Sequence, residues 1–443
     1  MKISHWFKPG MKIKRWLVLG ILGLICISFG LSFFLKYIEL NPLANLLPIG
    51  LIAAGGVLLV IALNYTVRTI YLAILSGGGK VSMDAGRLSS LLYDKRILIR
   101  GPKIVTIGGG TGLSSMLRGL KLYSSNITAI VTVADDGGGS GVLRQDLGML
   151  PPGDIRNCIL ALANTEPIME KLLQYRFQEG MLKGQSFGNL FLAAMDGISS
   201  NFEEAVRKMS DVLAVTGRVL PVTLDDVRLY AELEDGHVVC GESNIGKHNS
   251  FHPGKIKKVF IQPGNAEPLQ DVIEAISEAD LIVLGPGSLY TSIIPNLLIR
   301  EVCEAMKDSK ALKVYACNIM TQPGETDRYS LYDHIAAIEK HSYKGIIDMC
   351  IANNAEIPEE LEKKYLDDGA EAVKLDVEKV HKAGIKVICG DFVSIKNNYL
   401  RHDSMKLAQS VIDLAVEMVL GNDKKRMVDY YYVKDRLKKQ VES

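Results

Sequence analysis

Short apolar runs rich in β-branched residues alternate with amphipathic stretches between residues 101 and 421, where we place one globular domain. The runs read KIVTIGGG (103–110), ITAIVTVADD (127–136), DLIVLGPGS (280–288), KVYACNIMTQPGE (313–325), IIDMCIANNAE (346–356) and IKVICGD (385–391). Buried strands that alternate with helices are typical of a mainly parallel sheet covered on both faces. The pattern therefore predicts a doubly wound, Rossmann-like α/β domain.

Two segments depart from this alternation. Residues 215–262 read as paired strands joined by a turn, which predicts a β-rich insertion, either an antiparallel subdomain or an extension of the sheet. The tail, residues 422–443, is strongly charged and is predicted to be a surface helix or a partly disordered segment.

The N-terminal residues 1–75 predict a membrane hairpin. Residues 17–35 contain no charge, and as a helix they would span about 28 Å, close to the hydrocarbon thickness of a bilayer. A second uncharged run covers residues 43–63. The alternatives are a signal peptide, for which the first run is too long, and a buried helical pair in a soluble domain. The glycine-rich residues 76–100 read as a linker.

The distribution of charge orients this hairpin. Residues 1–100 carry 12 Lys and Arg against three Asp and Glu, whereas the remaining residues carry 39 against 47. Positive residues flank both apolar runs on their outer sides, which predicts a two-span protein of the cell membrane with both termini and the α/β domain in the cytoplasm.

The acidic domain lacks the charge of a nucleic-acid binder. Seven cysteines without a C-x-x-C pair argue against a zinc cluster.

Polar, glycine-rich segments follow the predicted strands. Because the carboxyl ends of parallel strands meet at one edge of the sheet, these segments predict one ligand site there. The first is Gly109, Gly110, Thr111 and Gly112, which precedes a helix and can present N–H groups to a phosphate. It matches neither G-x-G-x-x-G nor the P-loop, and a tight turn without a ligand is the alternative.

The second segment contains the adjacent carboxylates Asp135 and Asp136, followed by Gly137. Such a pair can hold Mg²⁺ on a substrate phosphate, act as a base or bind ribose hydroxyls. Both are candidate catalytic residues, and Asp136 is the candidate metal ligand. Alternatively, one carboxylate caps the turn and the other is solvated.

Further candidates come from later segments. Asn189 begins an apolar helix and is predicted to be either a helix cap or a ligand. Asp154 reads as an N-cap, and Arg156 either reaches a phosphate or lies on the surface. The remaining candidate ligand-binding residues lie after the strands that begin near 280 and 313: Gly287, Ser288, Tyr290, Thr291, Ser292, Asn318 and Thr321.

Together these motifs resemble the YvcK-like gluconeogenesis factors, a family within the superfamily of the 2-phospho-L-lactate transferase CofD. The resemblance rests on GGGTGLSSMLRGLK, ITAIVTVADDGGGSG, PPGDIRNC, SFGNLFLAAM, LGPGSLYTSIIPNLL and NIMTQPGET, in that order, and covers residues 103–420. It implies that Gly109–Gly112 bind phosphate and that the acidic pair, Asn189 and residues 287–292 belong to the site. The two apolar runs, and Gly139 where relatives commonly carry serine, depart from the family pattern.

The resemblance also implies a function. YvcK-like proteins bind a UDP-sugar such as UDP-N-acetylglucosamine and serve cell shape and envelope synthesis during gluconeogenic growth, whereas the transferases use Mg²⁺ to move phospholactyl from a guanylylated donor. We therefore expect a membrane-tethered, nucleotide-sugar-binding regulator, a possible homodimer with an unknown protein partner in wall synthesis. The alternative is a CofD-type phosphotransferase with Mg²⁺. A dinucleotide oxidoreductase is disfavoured by the imperfect glycine motif.

Overall fold

The structure, a computed structural model, describes residues 13–36, 46–75, 97–247, 254–419 and 424–441. It separates into two compact units, Met1–Ile97 and Leu98–Ser443. Residues 76–96 of the predicted linker lie outside the described residues.

The N-terminal unit is a helical hairpin of α1 (Ile13–Lys36) and α2 (Leu46–Leu75). Glycine allows the two backbones to touch, since a Cβ added to Gly23 would lie 2.8 Å from the carbonyl oxygen of Gly55. The reciprocal distance, from a Cβ on Gly55 to the carbonyl oxygen of Gly23, is 2.6 Å. Trp16 stacks on Tyr65 with 4.3 Å between ring centroids. Close packing through small residues is common between membrane helices.

Leu46–Tyr65 is long and apolar enough to cross a membrane, while Val18–Phe34 is an apolar but shorter helical segment. The outer surface of α2 is also apolar, because Leu47, Val60 and Leu63 are each 67% exposed. One of the two predicted spans therefore meets the length criterion within the described residues.

Seven strands of the described chain form a parallel sheet in the order β10-β9-β8-β7-β1-β2-β3. The strands are β1 (Ile104–Gly108), β2 (Ile127–Val131), β3 (Arg218–Pro221), β7 (Leu281–Leu284), β8 (Leu312–Ala316), β9 (Met349–Asn353) and β10 (Lys386–Gly390). Every residue of β1, β2 and β7 is buried, as expected for central strands with helices on both faces. The predicted doubly wound α/β fold is confirmed.

Helices connect and cover these strands. They are α3 (Gly110–Leu120), α4 (Gly138–Leu147), α5 (Gly153–Leu162), α6 (Pro167–Gln174), α7 (Phe187–Gly197), α8 (Phe202–Val212), α9 (Glu242–Ile245), α10 (Gln270–Glu278), α11 (Ile294–Leu297), α12 (Arg300–Asp308), α13 (Leu331–Lys340), α14 (Glu359–Asp367), α15 (Val377–Lys382), α16 (Ser404–Leu414) and α17 (Lys424–Val441). Single π-helical turns occupy Leu289–Ile293 and Ala415–Val419.

The β-rich insertion is an antiparallel sheet of β4 (Arg228–Leu233), β5 (Val238–Cys240) and β6 (Ile256–Gln262), with β4 in the centre. The start of the predicted insertion differs, because β3 pairs in parallel with β2 and forms an edge of the main sheet. Proline at the end of β3 is compatible with an edge strand. A small hairpin, β11 (Val393–Lys396) and β12 (Tyr399–His402), precedes α16.

The charged tail forms helix α17, which has a buried apolar side. Val433 is 1% exposed and Leu437 is 6% exposed. The Asp413 carboxylate accepts hydrogen bonds from the Tyr430 hydroxyl and from Lys434 Nζ, at 2.9 Å for the lysine. These contacts join α17 to α16, so the tail is part of the packed α/β unit.

Candidate ligand site at the carboxyl edge of the sheet

The order of the strands reverses between β1 and β7. The chain proceeds from β1 to β2 and β3 on one side, and from β7 to β8, β9 and β10 on the other. Connections that leave in opposite directions open a crevice beyond the carboxyl ends of the two central strands, which is the usual ligand site of such sheets. The two glycine loops predicted from the sequence follow these two strands.

The two glycine loops contact each other through their backbones. A Cβ added to Gly112 would lie 2.7 Å from the carbonyl oxygen of Pro286, and one added to Gly287 would lie 3.1 Å from the carbonyl oxygen of Gly109. A side chain at Gly112 would have to displace backbone atoms. Gly109, Gly112 and Gly287 are therefore brought together as predicted, and packing is one reason for their identity.

Gly110 has φ +70°, a conformation that favours glycine, and begins α3. The Thr111 side chain is exposed beside it. The Gly110 N–H is already engaged, because it donates a hydrogen bond to the carboxylate of Asp154. A carboxylate of the protein thus occupies a position at the helix N-terminus where a ligand phosphate would also be favoured.

The second loop is held by side chains that follow β8. Asn318 forms two hydrogen bonds with Gly287, accepting from its N–H at 3.1 Å and donating to its carbonyl oxygen at 2.8 Å. The Ser288 hydroxyl donates to Gln322 Oε1 at 2.6 Å. Three of the predicted residues therefore use their polar groups to join β7 to β8.

The hydroxyls after Ser288 are also directed into the protein. Thr291 Oγ1 donates to Glu325 Oε1 at 3.4 Å, and the Tyr290 and Tyr329 hydroxyls are 2.8 Å apart. Ser292 is 6% exposed, and its Oγ lies 3.7 Å from the position that a Cβ on Gly110 would take. These side chains form the floor of the crevice.

Thr321 is directed away from the glycine loops. Its N–H donates to the carbonyl oxygen of Glu371 at 2.7 Å, and its hydroxyl accepts from the Glu371 N–H at 3.0 Å. In the structure, Thr321 holds the segment after β8 to residues 371–372.

The acidic pair follows β2, and its two members have different surroundings. Asp135 accepts from the Gly137 N–H at 2.9 Å and from the Ser140 hydroxyl, and burial raises the pKa of its carboxyl group. Asp136 accepts from the Ser243 N–H at 2.8 Å, which ties the loop after β2 to the inserted sheet. Asp135 thus lies within the group of carboxylates described next, while one oxygen of Asp136 is engaged by backbone.

Three more carboxylates surround the crevice. Burial, with a contribution from Asp135, raises the pKa of Asp154 to about 6. Burial, with contributions from Asp135 and Glu325, raises the pKa of Glu242 to about 8. Glu325 is 4% exposed, and burial raises its pKa to about 7 although Gln322 donates to its Oε1 at 2.5 Å. Clustered carboxylates with raised pKa values are common at functional sites.

Among the described residues, no group of three or more His, Cys, Asp or Glu side chains is arranged to hold a metal ion. Mg²⁺ commonly needs only one or two carboxylates and completes its shell with phosphate oxygens and water. Asp135 and Asp154 supply hard oxygen donors, and the charge of Asp135 helps to raise the pKa of Asp154, so their chemistry fits Mg²⁺ bound together with a phosphate ligand.

A second polar group lies where α5 meets α7. Arg156 Nη1 donates to the Ser186 hydroxyl, and Nη2 donates to Asn157 Oδ1 at 2.6 Å. Ser186 also caps α7 by accepting from the Asn189 N–H at 3.2 Å. Asn189 is therefore not the cap, and its Oδ1 is buried without a hydrogen-bond partner. Gln185 Oε1 is buried without a partner in the same way.

Two of the carboxylates in the site, Asp154 and Glu242, were not predicted in the positions that the structure gives them. The prediction that Asp154 is an N-cap is wrong, because Pro152 occupies that position and no side chain caps α5. The Asp154 carboxylate instead reaches the loop after β1. Glu242 was not predicted, since it follows the short strand β5 and carries no local motif. Its position between Gly241 and Ser243 gave no signal of an interaction with Asp135 and Asp154.

Comparison with known proteins agrees with the architecture. The family model described as 2-phospho-L-lactate transferase CofD matches residues 104–393. The chain belongs to the CofD family. Within this family, it is 50% identical to the Bacillus subtilis gluconeogenesis factor over 317 residues, which are 71% of this chain and 99% of that protein. A Clostridium acetobutylicum relative is 54% identical over 439 residues, 99% of this chain and 97% of its own.

Solved structures in the same family resemble the α/β unit. A Bacillus halodurans protein, 47% identical, superposes with a TM-score of 0.68 and covers 70% of this chain and 99% of its own. A second structure from that organism, described as a member of the UPF0052 family, gives a TM-score of 0.67. These relatives lack a counterpart for the rest of this chain, whereas the C. acetobutylicum relative spans nearly all of it.

Proposed function

We propose that the protein is a nucleotide-sugar-binding regulator of the gluconeogenesis-factor type, tethered to the membrane by its N-terminal hairpin. Its ligand is a UDP-sugar such as UDP-N-acetylglucosamine, and its role is to couple carbon supply to envelope synthesis and cell shape. The observation that carries the proposal is the contact between the loops after β1 and β7 at the point where the strand order reverses. The names of the relatives support the metabolic role.

The carboxylates define how such a ligand is held. A diphosphate that approached Gly110 would meet the carboxylates of Asp154 and Asp135, and like charges repel. We infer that Mg²⁺ enters with the ligand, held by Asp135 and Asp154, and neutralises the charge between carboxylates and phosphate. When bound, the ion supplies charge compensation. The protein residues orient the ligand and exclude water from the crevice.

The membrane part of the proposal rests on the hairpin. Leu46–Tyr65 meets the length of a span, and the excess of Lys and Arg in residues 1–100 favours cytoplasmic placement of both flanks. Two spans with the α/β unit at the inner face would hold it where lipid-linked wall precursors are assembled. Protease protection of tags at the two termini in inverted and right-side-out vesicles tests this topology.

Isothermal titration tests ligand binding. The full chain in detergent micelles is titrated with UDP-N-acetylglucosamine, UDP-glucose and GDP, each with Mg²⁺ and with EDTA. We expect saturable heat for the UDP-sugar that is stronger with Mg²⁺. The α/β unit, residues 98–443, is the matched control, since the B. halodurans relative covers about this part alone and folds. A flat titration at millimolar UDP-sugar for both proteins contradicts the proposal.

A CofD-type phosphotransferase is the second candidate, and the raised pKa of Asp135 favours it. In such a reaction the acceptor hydroxyl oxygen forms a new P–O bond to the donor diphosphate, the donor P–O–P bond breaks, and nucleoside monophosphate leaves. The hydroxyl proton passes to the Asp135 carboxylate, which burial makes a stronger base. Phosphorus NMR of the protein with an activated donor and hydroxyl acceptors distinguishes the two, because a regulator releases its ligand unchanged.

A further inference from the structure

Arg156 is a half-buried cation whose terminal nitrogens are held by neutral oxygens. Nη1 donates to the Ser186 hydroxyl, Nη2 donates to Asn157 Oδ1 at 2.6 Å, and Nε is buried with no partner. Among the carboxylates that the structure describes, none forms an ion pair with this guanidinium within 4.0 Å. A buried N–H group without a hydrogen-bond partner is costly, and it costs more on a charged side chain that forms no ion pair.

The surroundings of Arg156 add to that cost. Partial burial lowers the pKa of Arg156 and the positive charge of Arg176 lowers it further, while the charges of Asp154 and Asp135 act in the opposite direction. The stem of Arg156 packs against Gly188, where an added Cβ would lie 2.6 Å from Arg156 Cδ. The guanidinium is therefore held in a fixed orientation by α7.

Two buried amide oxygens on the segment that contains Ser186 also lack hydrogen-bond partners. They are Gln185 Oε1, on a residue that is 7% exposed, and Asn189 Oδ1, on one that is 3% exposed. Both flank Ser186, which bonds to Arg156. Buried polar atoms are nearly always bonded, so three unpartnered atoms on adjoining turns indicate groups that a ligand satisfies.

We infer that Arg156 is the anion subsite of the ligand pocket and binds a phosphoryl group of the nucleotide-sugar through its free Nε–H and the N–H groups beside it. The inference rests on the proposed function. Arginine is suited to this task because its planar fork makes parallel hydrogen bonds to phosphate oxygens. The amide oxygens of Gln185 and Asn189 accept from hydroxyl or acetamido N–H groups of the sugar.

This assignment gives different roles to the carboxylates beside the glycine loop and to Arg156. The Gly110 N–H is engaged by Asp154, so the glycine loop and the carboxylates form the cation side of the pocket. Arg156 lies two residues beyond Asp154, on the first turn of α5, and forms the anion side. A ligand that carries both a diphosphate and a bound divalent cation would satisfy both sides.

The test compares Arg156→Gln and Arg156→Lys with the wild-type full chain in detergent micelles. Arg218→Gln is the matched control, since Arg218 is an exposed arginine at the edge of the sheet. Each protein is titrated with UDP-N-acetylglucosamine, uridine and inorganic pyrophosphate. We expect Arg156→Gln to weaken UDP-N-acetylglucosamine and pyrophosphate by about 10- to 100-fold and to leave uridine unchanged, with partial recovery in Arg156→Lys.

The probes also distinguish failure of the proposed ligand, a UDP-sugar, from failure of the Arg156 anion subsite. Pyrophosphate binding that depends on Arg156, without UDP-sugar binding, would contradict the proposed ligand and retain the anion subsite. Unchanged affinity of Arg156→Gln for both phosphate probes would overturn the subsite. An equal loss of affinity for uridine and for the phosphate ligands would also overturn the subsite. It would show that Arg156 maintains the structure of the pocket and does not bind phosphate.

Discussion

Asp154 accepts a hydrogen bond from the N–H of Gly110, at the first turn of α3 and directly after the central strand β1. The contact joins residues 44 positions apart and puts a negative charge where a helix N-terminus attracts one. It also places this charge beside Gly109, where an added Cβ would lie within contact distance of Asp154 Oδ2. The glycine loop after β1 is therefore contacted by a carboxylate of the protein itself.

Replacement of Asp154 by Asn should change the metal dependence of ligand binding. The variant removes the repulsion between carboxylate and phosphate, so we expect affinity for UDP-N-acetylglucosamine in EDTA to rise about 5- to 10-fold and the effect of Mg²⁺ to fall. Titration calorimetry with and without Mg²⁺ measures both. The control is Asp146→Asn, an exposed aspartate on α4. Unaltered dependence on Mg²⁺ in Asp154→Asn would contradict the assigned role.

The carboxylates around the crevice should make stability depend on pH. Asp154, Glu325 and Glu242 have pKa values raised to about 6, 7 and 8. The folded protein therefore binds these protons more tightly than the unfolded chain does, and their contribution to stability is lost as the pH rises through these values. We expect the free energy of unfolding, measured with urea, to fall from about pH 4, where these carboxyls ionise in the unfolded chain, to about pH 8.

Glu242→Gln should remove the upper part of that slope. At pH 8.5 the variant no longer holds a buried charge beside Asp135, so we expect it to be more stable than the wild type by on the order of 1–2 kcal/mol. At about pH 4, where the Glu242 carboxyl is largely protonated in both the folded and the unfolded wild type, the difference should be small. The matched control is Glu179→Gln, at an exposed position. Parallel pH profiles for Glu242→Gln and the wild type would refute the raised pKa.

Gly112 should tolerate no side chain. Gly112→Ala places a Cβ against the Pro286 carbonyl, which only a backbone shift can relieve, so we expect a loss of about 2–3 kcal/mol in the free energy of unfolding and weaker UDP-sugar binding. Gly197→Ala is the control, because a Cβ there meets nothing within 4 Å and helix propensity favours alanine. Comparable losses in the two variants would show that the contact between loops is unimportant.

A disulfide should report the packing of the helical hairpin. A Cβ added to Gly20 would lie 3.6 Å from Ala62 Cβ, within the range of natural disulfides. In a Cys26→Ser background, we expect Gly20→Cys with Ala62→Cys to lose two maleimide-reactive thiols after oxidation, measured on denatured protein by mass spectrometry. Gly50→Cys with Ala62→Cys should keep both, because a Cβ on Gly50 meets nothing within 4 Å.

The parallel sheet could be predicted from sequence because buried strands leave continuous apolar runs. All six predicted strands are present, and the loops after β1 and β7 meet as expected. The sequence pattern did not indicate that β3 belongs to the main sheet. Its four residues include Pro221 and precede a region with a clear hairpin pattern. The buried side of α17 was hidden because Tyr430, Val433 and Leu437 lie among many charged residues.

Site residues that directly follow a strand could be predicted from the sequence. Site residues that distant segments bring into the crevice were missed. Asp135 follows a strand and could be placed at the sheet edge from its position alone. Asp154 and Glu242 reach the same crevice from α5 and from the inserted sheet, 19 and 107 residues further along the chain. Thr321 also follows a strand, and its hydroxyl accepts a hydrogen bond from the Glu371 N–H, a long-range contact that its position after β8 could not indicate.

Arg100, just before the central strand β1, pairs with Asp429 of the last helix at 3.7 Å. The α/β unit therefore begins and finishes at neighbouring points, so a segment can be gained or lost ahead of β1 without any strand changing its partners. This geometry accounts for family members that share the sheet yet differ by an entire N-terminal region. The site at the carboxyl edge of the sheet can therefore keep the same interior whether or not a further region precedes β1.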